Sequence, residues 1–348
     1  MNVLRYDTIS VISSNLDPIE DLLNFITTLK SLGFTTDLLR NVHGFTDISE
    51  IKKTAKQISL HVDNAISLAN QGFDGPSQTS FLPLYYSTLN LAKVYILLKG
   101  KRVDLESNRW HGAKYSEIEM KKNFLNERIT ISANGTIPLF YKCLFDDTIS
   151  KKISICLDDL YSCISTISAE YSTITNKGNA ELLHVASIER DDNNGHFLKI
   201  RVINSSDILT PPKAKSIKAY PDIRIIKGDK EFHYESNRFI GDFENISNQI
   251  KLSIKRNLIS DSYQSNHFGS SWYSRTPISD NKYVFNEELC IMLAYFHLSN
   301  VVRYNPEHLY KLMDSRYWAL LLGLRKHGYL KFIKHIWGHC IKSSFDIA

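Results

Sequence analysis

The sequence predicts a mainly helical α+β protein in which two helical segments form one body and carry a β-rich insert. Apolar residues recur at helical spacing through much of the first 178 residues and again from about residue 281 onward. Between them, 181–204 and 216–240 alternate apolar and polar residues across turn-rich breaks, as half-buried strands do. We expect an N-terminal helical region with a β-hairpin at 1–178, a β-rich insert at 179–244 and a C-terminal helical region with basic helices at 245–348.

Two helix starts in the first region carry clear capping signals. Asp17 is followed three residues later by Glu20, and Asp47 is followed three residues later by Glu50. An N-cap aspartate with a glutamate at the third helical position satisfies free N–H groups at a helix start. The predicted helices begin at these two caps and continue at about 80–98, 115–127 and 150–173.

A hairpin is predicted where Asn134-Gly135 separates two β-prone runs, 128–132 and 136–145. Asn-Gly between such runs is a strong signal for a type I′ turn, because both residues tolerate positive φ. Residues 245–282 show little periodicity, and we expect loop and short helix there.

The composition indicates the cellular compartment of the protein. The five cysteines include no Cys-x-x-Cys pair, and the N-terminus lacks the charged-then-apolar pattern of a signal peptide. No apolar run reaches the roughly 18–20 residues that span a bilayer. We therefore expect a cytoplasmic protein that does not cross a membrane and has no disulfide framework.

The net charge of +5 is concentrated at the end of the chain. Residues 303–348 contain eight Lys/Arg and three Asp/Glu, so the whole excess lies there. Lys331 and Lys334 lie opposite an apolar helical stripe and are candidate binding residues. Such a charge can attract RNA, DNA or an acidic protein partner. The alternative is an ordinary solvated helix face.

Several common catalytic motifs are absent from the sequence. It has no phosphate-binding P-loop, no Gly-x-Gly-x-x-Gly fingerprint and no Gly-x-Ser-x-Gly elbow. His335 and His339 have a spacing that a metal could use, but they lack the adjacent glutamate of a zincin helix. We therefore expect no metal site and no cofactor.

Polar residues in an apolar helix and a nearby loop form one candidate binding site. Asn90 and Lys93 interrupt the apolar helix at 80–98, so each needs a partner or reaches a cleft. Arg109 and His111 follow that helix and could contact an anion. The structural alternative is that Asn90 and Lys93 form internal hydrogen bonds and that packing of Trp110 holds the turn.

Arg303 and His308 form the candidate catalytic pair. Asn305 is a good N-cap and Pro306 suits the first helical position, which places His308 in the first turn. A ribonuclease that uses no metal needs a base, an acid and a cation for the phosphorane charge. Histidine and arginine can fill these roles. Alternatively, Arg303 is a structural residue and His308 lies on the surface.

The segments Leu84–Lys93, His111-Gly112 and Arg303-Tyr304 with Pro306 together resemble YaaC-like proteins, over about residues 80–112 and 285–320. The function of that family is largely undefined. Arg303 and His308 also resemble the Arg-x4–6-His motif of HEPN ribonucleases, which implies RNA cleavage without metal, usually at a dimer interface.

These observations leave three functions open. The first is a cytoplasmic binding or effector component that engages nucleic acid or a protein partner, in a bacterial defence or toxin-like system. The second is a metal-independent, HEPN-like endoribonuclease using Arg303 and His308. The partners considered are RNA or DNA, and a protein partner or a second copy of the chain. The third is a structural subunit of a larger assembly. Steep salt dependence of RNA or DNA binding would favour the first.

Overall fold

Helices dominate the chain on both sides of a strand-rich middle. The structure, a computed structural model, describes residues 9–12, 17–108, 110–115, 123–176, 182–190, 196–202, 223–227, 232–236, 258–263, 270–274 and 285–347. The helices before the middle are α1 (Pro18–Thr27), α2 (Leu32–Asn41), α3 (Ile48–Asp74), α4 (Phe81–Leu98), α5 (Arg102–Ser107), α6 (Thr136–Phe145), α7 (Leu157–Ser162) and α8 (Ser168–Thr175). Those after it are α9 (Glu287–Tyr304), α10 (Pro306–Met313), α11 (Tyr317–Gly323) and α12 (Tyr329–Ile341).

The strands of the described residues form three separate sheets. The strands are β1 (Ile9–Ile12), β2 (Ala113–Tyr115), β3 (Arg128–Ile131), β4 (Ile153–Cys156), β5 (Leu182–Arg190), β6 (His196–Val202), β7 (Ile223–Lys227), β8 (Phe232–Ser236), β9 (Leu258–Tyr263), β10 (Ser270–Ser274) and β11 (Ser344–Ile347). β1 and β11 pair in parallel, and β2, β3 and β4 form an antiparallel sheet in that order. The other six strands form an antiparallel sheet in the order β7-β8-β6-β5-β10-β9.

The core of the helical body is the packing of α4 against α3, α9 and α12. Apolar side chains surround α4 and α9 on most faces, and both helices are almost wholly buried, as expected of helices with neighbours all round. The Ser87 hydroxyl joins three of them, because it donates to Ala65 O on α3 and lies 2.7 Å from the Tyr329 hydroxyl on α12. The predicted mainly helical α+β fold, with two helical segments in one body, is confirmed.

The capping signals place the helix starts correctly. Asp17 Oδ1 accepts from Ile19 N, and Asp47 Oδ1 accepts from Ser49 N, each at 2.8 Å. At the start of α10, Asn305 Oδ1 accepts from His308 N at 3.1 Å. These bonds satisfy backbone N–H groups that have no partner within the helix.

One described helix, α4, is long and apolar enough to cross a membrane, with a mean hydropathy of 1.2 over 18 residues. However, 72% of this helix is buried inside the fold. The core helix of a globular domain passes the same test of length and composition, so the finding is weak evidence for a membrane span.

The predicted hairpin around Asn134-Gly135 is wrong. The first run forms β3, but the second run forms α6, and β3 pairs with β2 and β4 instead. The reason is tertiary, since the loop before β2 takes the backbone N–H groups that a hairpin would use. Thr136 N donates to Trp110 O and Ile137 N donates to His111 O, each at 2.9 Å.

Two of the predicted helices are also wrong. The segment 150–173 begins with β4 and then continues as α7 and α8 rather than as one helix. The predicted helix at 115–127 begins at Tyr115, which belongs to β2, and ends with a short 3-10 turn at Phe124–Asn126, while 116–122 lie outside the described residues. Burial of alternate residues of β4, in the pattern of a half-buried strand, accounts for the first error.

Strands continue beyond the predicted insert. β9 and β10 lie after residue 245, where loop and short helix were expected, and β10 pairs with both β5 and β9. The expectation of loop there is therefore wrong for 258–263 and 270–274. The boundaries of the insert at 179 and 244 stay a prediction.

Two glycines fix the loop that carries His111 against the start of α6. Gly112 and Gly135 have φ of 81° and 123°, and their backbones approach closely. A Cβ on Gly135 would lie 2.6 Å from Gly112 N, and a Cβ on Gly112 would lie 2.8 Å from Asn134 O. No side chain fits between these two backbones without moving one of them.

We expect Gly135→Ala and Gly112→Ala each to lower the free energy of unfolding by about 2 kcal/mol or more, through overpacking and backbone strain. Urea unfolding measures the change. Gly33→Ala is the matched control, because Gly33 lies in α2 at negative φ and an added Cβ meets nothing closer than 3.9 Å. That control should be neutral or slightly stabilising. Equal effects at all three positions would contradict this account.

Candidate functional site

A cleft of about 700 Å³ opens beside the first turns of α4 and the last turn of α9, next to β2. It exists because α4 and α9 pack side by side, which brings residues 85–86 close to residues 303–304. The aromatic and basic side chains in its lining are Tyr85, Tyr86, His111, Lys114, Tyr115, Phe296, Arg303 and Tyr304. A cleft of this size is typical of small-molecule sites.

Arg303 is an exposed cation in the cleft lining. Its Nη2 donates to the Tyr86 hydroxyl at 2.6 Å, and its Nη1 donates to the Tyr304 hydroxyl at 3.2 Å. The guanidinium lies 5.4 Å from the centres of both rings, in the range of cation–π contacts. Among the described residues, these hydrogen bonds go to neutral hydroxyls rather than to a carboxylate. Its charge is therefore available to an anionic ligand.

His111 is held at the wall of the cleft. Its Nδ1 lies 2.6 Å from the Tyr85 hydroxyl, and its ring packs against the rings of Tyr85, Tyr86 and Phe296. Burial lowers the pKa of His111 below its ordinary value of 6.5, and the nearby charges of Lys93 and Arg303 lower it further. The imidazole is therefore neutral at pH 7. Burial raises the pKa of Tyr85, so that hydroxyl keeps its proton.

Asn90 and Lys93 lie farther along the same face of α4. The Asn90 amide nitrogen donates to Tyr86 O, and its Oδ1 lies 2.8 Å from His61 Nδ1 on α3. Lys93 is half-buried, and burial lowers its pKa. Neither residue lines the cleft. Asn90 orients groups behind the cleft, and Lys93 acts there through its charge.

A buried carboxylate with two histidines lies under the cleft, and sequence reasoning missed it. Glu127 Oε2 lies 2.8 Å from His297 Nε2, and its Oε1 lies 2.8 Å from His308 Nε2. The second pair has poor hydrogen-bond angles, but the distance is that of an ion pair. Tyr115, in the cleft lining, donates to Oε2 at 3.0 Å. The Glu127 cluster, defined by these four residues, thus joins β2, the start of β3, α9 and α10.

The charge of the Glu127 cluster follows from its hydrogen bonds. Burial alone would raise the pKa of Glu127, but the bonds and charges of His297 and His308 outweigh it and hold that pKa at about 2. Complete burial lowers the pKa of His297, although Glu127 opposes this shift. Glu127 is therefore a carboxylate at neutral pH and accepts from its neighbours.

The structure does not bring the predicted catalytic pair together. Arg303 lines the cleft, whereas His308 is only 6% exposed, faces Glu127 and does not line the cleft. The expectation that His308 lies on the surface is also wrong. The histidine that lines the cleft with Arg303 is His111.

The other predicted site residues lie apart from the cleft or outside the description. Lys331 on α12 is only 9% exposed, Lys334 is half-buried, and neither lines the cleft. Arg109 lies outside the described residues. His335 Nδ1 lies 2.8 Å from Glu288 Oε1, and His339 Nε2 lies 3.4 Å from the same oxygen. Within the described ranges, no group of three or more His, Cys, Asp or Glu side chains could hold a metal ion.

Two of the basic residues near the end of the chain bond backbone carbonyl groups of the first helical region. Arg325 Nη2 donates to Gly72 O and Phe73 O at the end of α3, and Lys342 Nζ donates to Val42 O at 2.6 Å. These two cations satisfy carbonyl groups near helix ends. Part of the positive charge in 303–348 therefore lies on side chains that bond backbone carbonyl groups of the fold.

Glu127→Gln should lower the free energy of unfolding by about 3 kcal/mol at pH 7, because it removes one partner of a buried charge cluster. The difference in free energy of unfolding between this variant and wild type should narrow as the pH falls from about 4.5 toward 2. The unfolded glutamate takes up its proton near 4.5, whereas the folded one does so near 2, so the stability that its charge provides is lost in that window.

Urea unfolding at several pH values measures both effects of Glu127→Gln. Glu106→Gln is the control, because Glu106 is exposed and its solvent-screened ion pair with Arg102 on α5 should contribute little to stability. A Glu127→Gln variant as stable as this control at pH 7 would show that the cluster contributes little.

Comparison with models of protein families shows that one family covers most of the chain. The model of the YaaC-like protein family matches residues 27–337, which includes both segments that carried the resemblance and the region between them. No curated protein and no solved structure matches the chain. The comparisons give no support to the resemblance to HEPN ribonucleases. The chain belongs to the YaaC-like protein family.

Proposed function

We propose that this protein binds single-stranded nucleic acid, with RNA as the natural ligand, in the cleft between α4, α9 and β2. The observation that carries the proposal is the environment of Arg303. This exposed arginine lies between the rings of Tyr86 and Tyr304 and donates to hydroxyls rather than to a carboxylate of the described residues.

Aromatic rings beside an arginine suit unpaired bases. Bases stack on tyrosine rings and on guanidinium planes, and each stacked base contributes about 1–3 kcal/mol. Tyr304 is 60% exposed and Tyr86 is half-buried, so both rings present surface at the cleft. Paired bases cannot stack in this way, which favours single strands over duplexes.

Positive charge at the cleft suits the phosphate backbone. Lys114 is exposed and lines the cleft with Arg303, while Lys93 adds charge from behind. The chain as a whole carries +5. A cleft of about 700 Å³ accommodates a nucleotide unit with its phosphate. The ligand also fits the expected cytoplasmic location.

The geometry gives less support to the other expected functions. Binding through Lys331 and Lys334 would require these side chains to be more exposed than they are. Cleavage through His308 would require it to reach the ligand, and it faces Glu127 instead. A protein partner, a structural role or a defence function has no specific observation in its favour.

Arg303→Gln should weaken binding of a single-stranded RNA oligonucleotide about tenfold, because it removes a phosphate contact and a stacking plane. Tyr304→Leu should weaken it to a similar extent. Fluorescence anisotropy with a labelled mixed-sequence oligonucleotide, in EDTA at low salt, measures both. The wild-type affinity should fall steeply with added salt.

Arg316→Gln is the matched control for the binding measurement. Arg316 is also exposed and lies 5.5 Å from the ring of Tyr317, but it does not line the cleft. Its loss should change the affinity less than twofold. A duplex of the same sequence should bind more weakly than the single strand. Equal losses for Arg303→Gln and Arg316→Gln, or no binding by wild type, would refute the proposal.

A further inference from the structure

We propose that the cleft also cleaves the RNA that it binds, with His111 as the base that takes the proton of a ribose 2′-hydroxyl and Arg303 as the cation that neutralises the phosphorane. This inference rests on the proposed function, because the RNA must first occupy the cleft. Its residues are Tyr85, His111, Lys114 and Arg303.

The position of His111 leaves one ring nitrogen for chemistry. Nδ1 contacts the Tyr85 hydroxyl at 2.6 Å, and three aromatic rings hold the imidazole plane. Nε2, on the far side of the ring, makes no hydrogen bond with a described residue. A base fixed at one nitrogen and open at the other is the usual arrangement of a catalytic histidine.

Tyr85 supports both protonation states of His111. When Nδ1 carries the ring proton, it donates to the Tyr85 oxygen, and Nε2 has the free lone pair of a base. When Nε2 then takes a second proton, Nδ1 keeps its bond to the same oxygen. The hydroxyl of Tyr85 thus fixes the ring before and after proton transfer.

The surrounding charges keep His111 in its basic form. The groups that face it are Tyr85, Tyr86 and Lys93 from α4, Lys114 and Tyr115 from β2, and Arg303 from α9. Burial holds the pKa of His111 below 6.5, and the charges of Lys93 and Arg303 lower it further because they disfavour the imidazolium. Arg303 and Lys114 attract the phosphate that is to be cleaved.

The step balances without an external oxidant or reductant. The 2′-oxygen gives its proton to Nε2 of His111 and attacks the adjacent phosphorus, so that an O2′–P bond forms. The P–O5′ bond breaks, and the leaving 5′-oxygen takes a proton from water. The hydroxide left from that water removes the proton from His111. The products are a 2′,3′-cyclic phosphate and a 5′-hydroxyl.

The purely structural alternative is that the contact between His111 and Tyr85 only ties the loop to α4. His111→Asn separates the two roles, because its amide can still bond Tyr85 from the position of Nδ1 but provides no base. We expect this variant to cleave saturating RNA at least about a hundredfold more slowly than wild type.

The assay uses the full chain with a labelled single-stranded RNA in EDTA, and it follows both binding and cleavage. A DNA strand of the same sequence and a 2′-O-methyl RNA are the controls, because both can bind but lack the attacking hydroxyl. Product ends are identified by mass spectrometry. The expected result is cleavage of RNA alone, giving cyclic phosphate ends.

Wild type provides a second readout that needs no change at His111. Cleavage should rise with pH and level off, with a midpoint below 6.5, because the neutral imidazole is the active form. Lys93→Met should move this midpoint upward, since it removes a cation near the imidazole. Lys99→Met is the control, because Lys99 affects His43 and not His111.

Failure of this inference is distinguishable from failure of the proposed function. Wild type that binds RNA but does not cleave it would overturn the inference and leave RNA binding intact. Cleavage that survives in His111→Asn, or that also cuts 2′-O-methyl RNA, would likewise overturn it. No RNA binding at all would overturn both.

Discussion

The packing of α4 against α9 is the contact on which the rest of the structure depends. Both helices are buried on nearly all sides, so their relative position is fixed by the core rather than by surface bonds. This packing places Tyr86 of the first helix within 2.6 Å of Arg303 of the second, although 217 residues separate them. The cleft is therefore a consequence of the core, and a rigid core gives its side chains a defined geometry.

The Glu127 cluster contains a carboxylate that is buried beneath this cleft. A buried carboxylate loses its hydration and is stable only if nearby groups replace it, as His297 and His308 do here. Because the cluster ties β2 to α9 and α10, it fixes the wall of the cleft opposite α4. It gives His308 a structural role. The imidazole of His111 has a different environment, because its hydrogen-bond partner among the described residues is the neutral hydroxyl of Tyr85.

Local signals in the sequence predicted local structure well, whereas contacts distant in sequence had no signal. Asp17 and Asp47 cap helices through neighbouring residues, so their sequence context was sufficient. Asn134-Gly135 is a strong hairpin signal, but contact with Gly112 and the preceding loop overrides it. Nothing in the sequence around Glu127 indicates that His297, 170 residues later, lies against it. For the site, the resemblance to YaaC-like proteins was more useful than spacing, since His111 and Arg303 line the same cleft.

The central claim is that RNA lies on the tyrosines of the cleft, and photocrosslinking tests it most directly. A single-stranded RNA carrying 5-bromouridine is irradiated on the full chain, and the linked peptides are identified by mass spectrometry. The account predicts crosslinks at Tyr86 or Tyr304, which fall with Arg303→Gln and remain with Arg316→Gln. Crosslinks confined to α12 around Lys331 and Lys334, or to the six-stranded sheet, would contradict it.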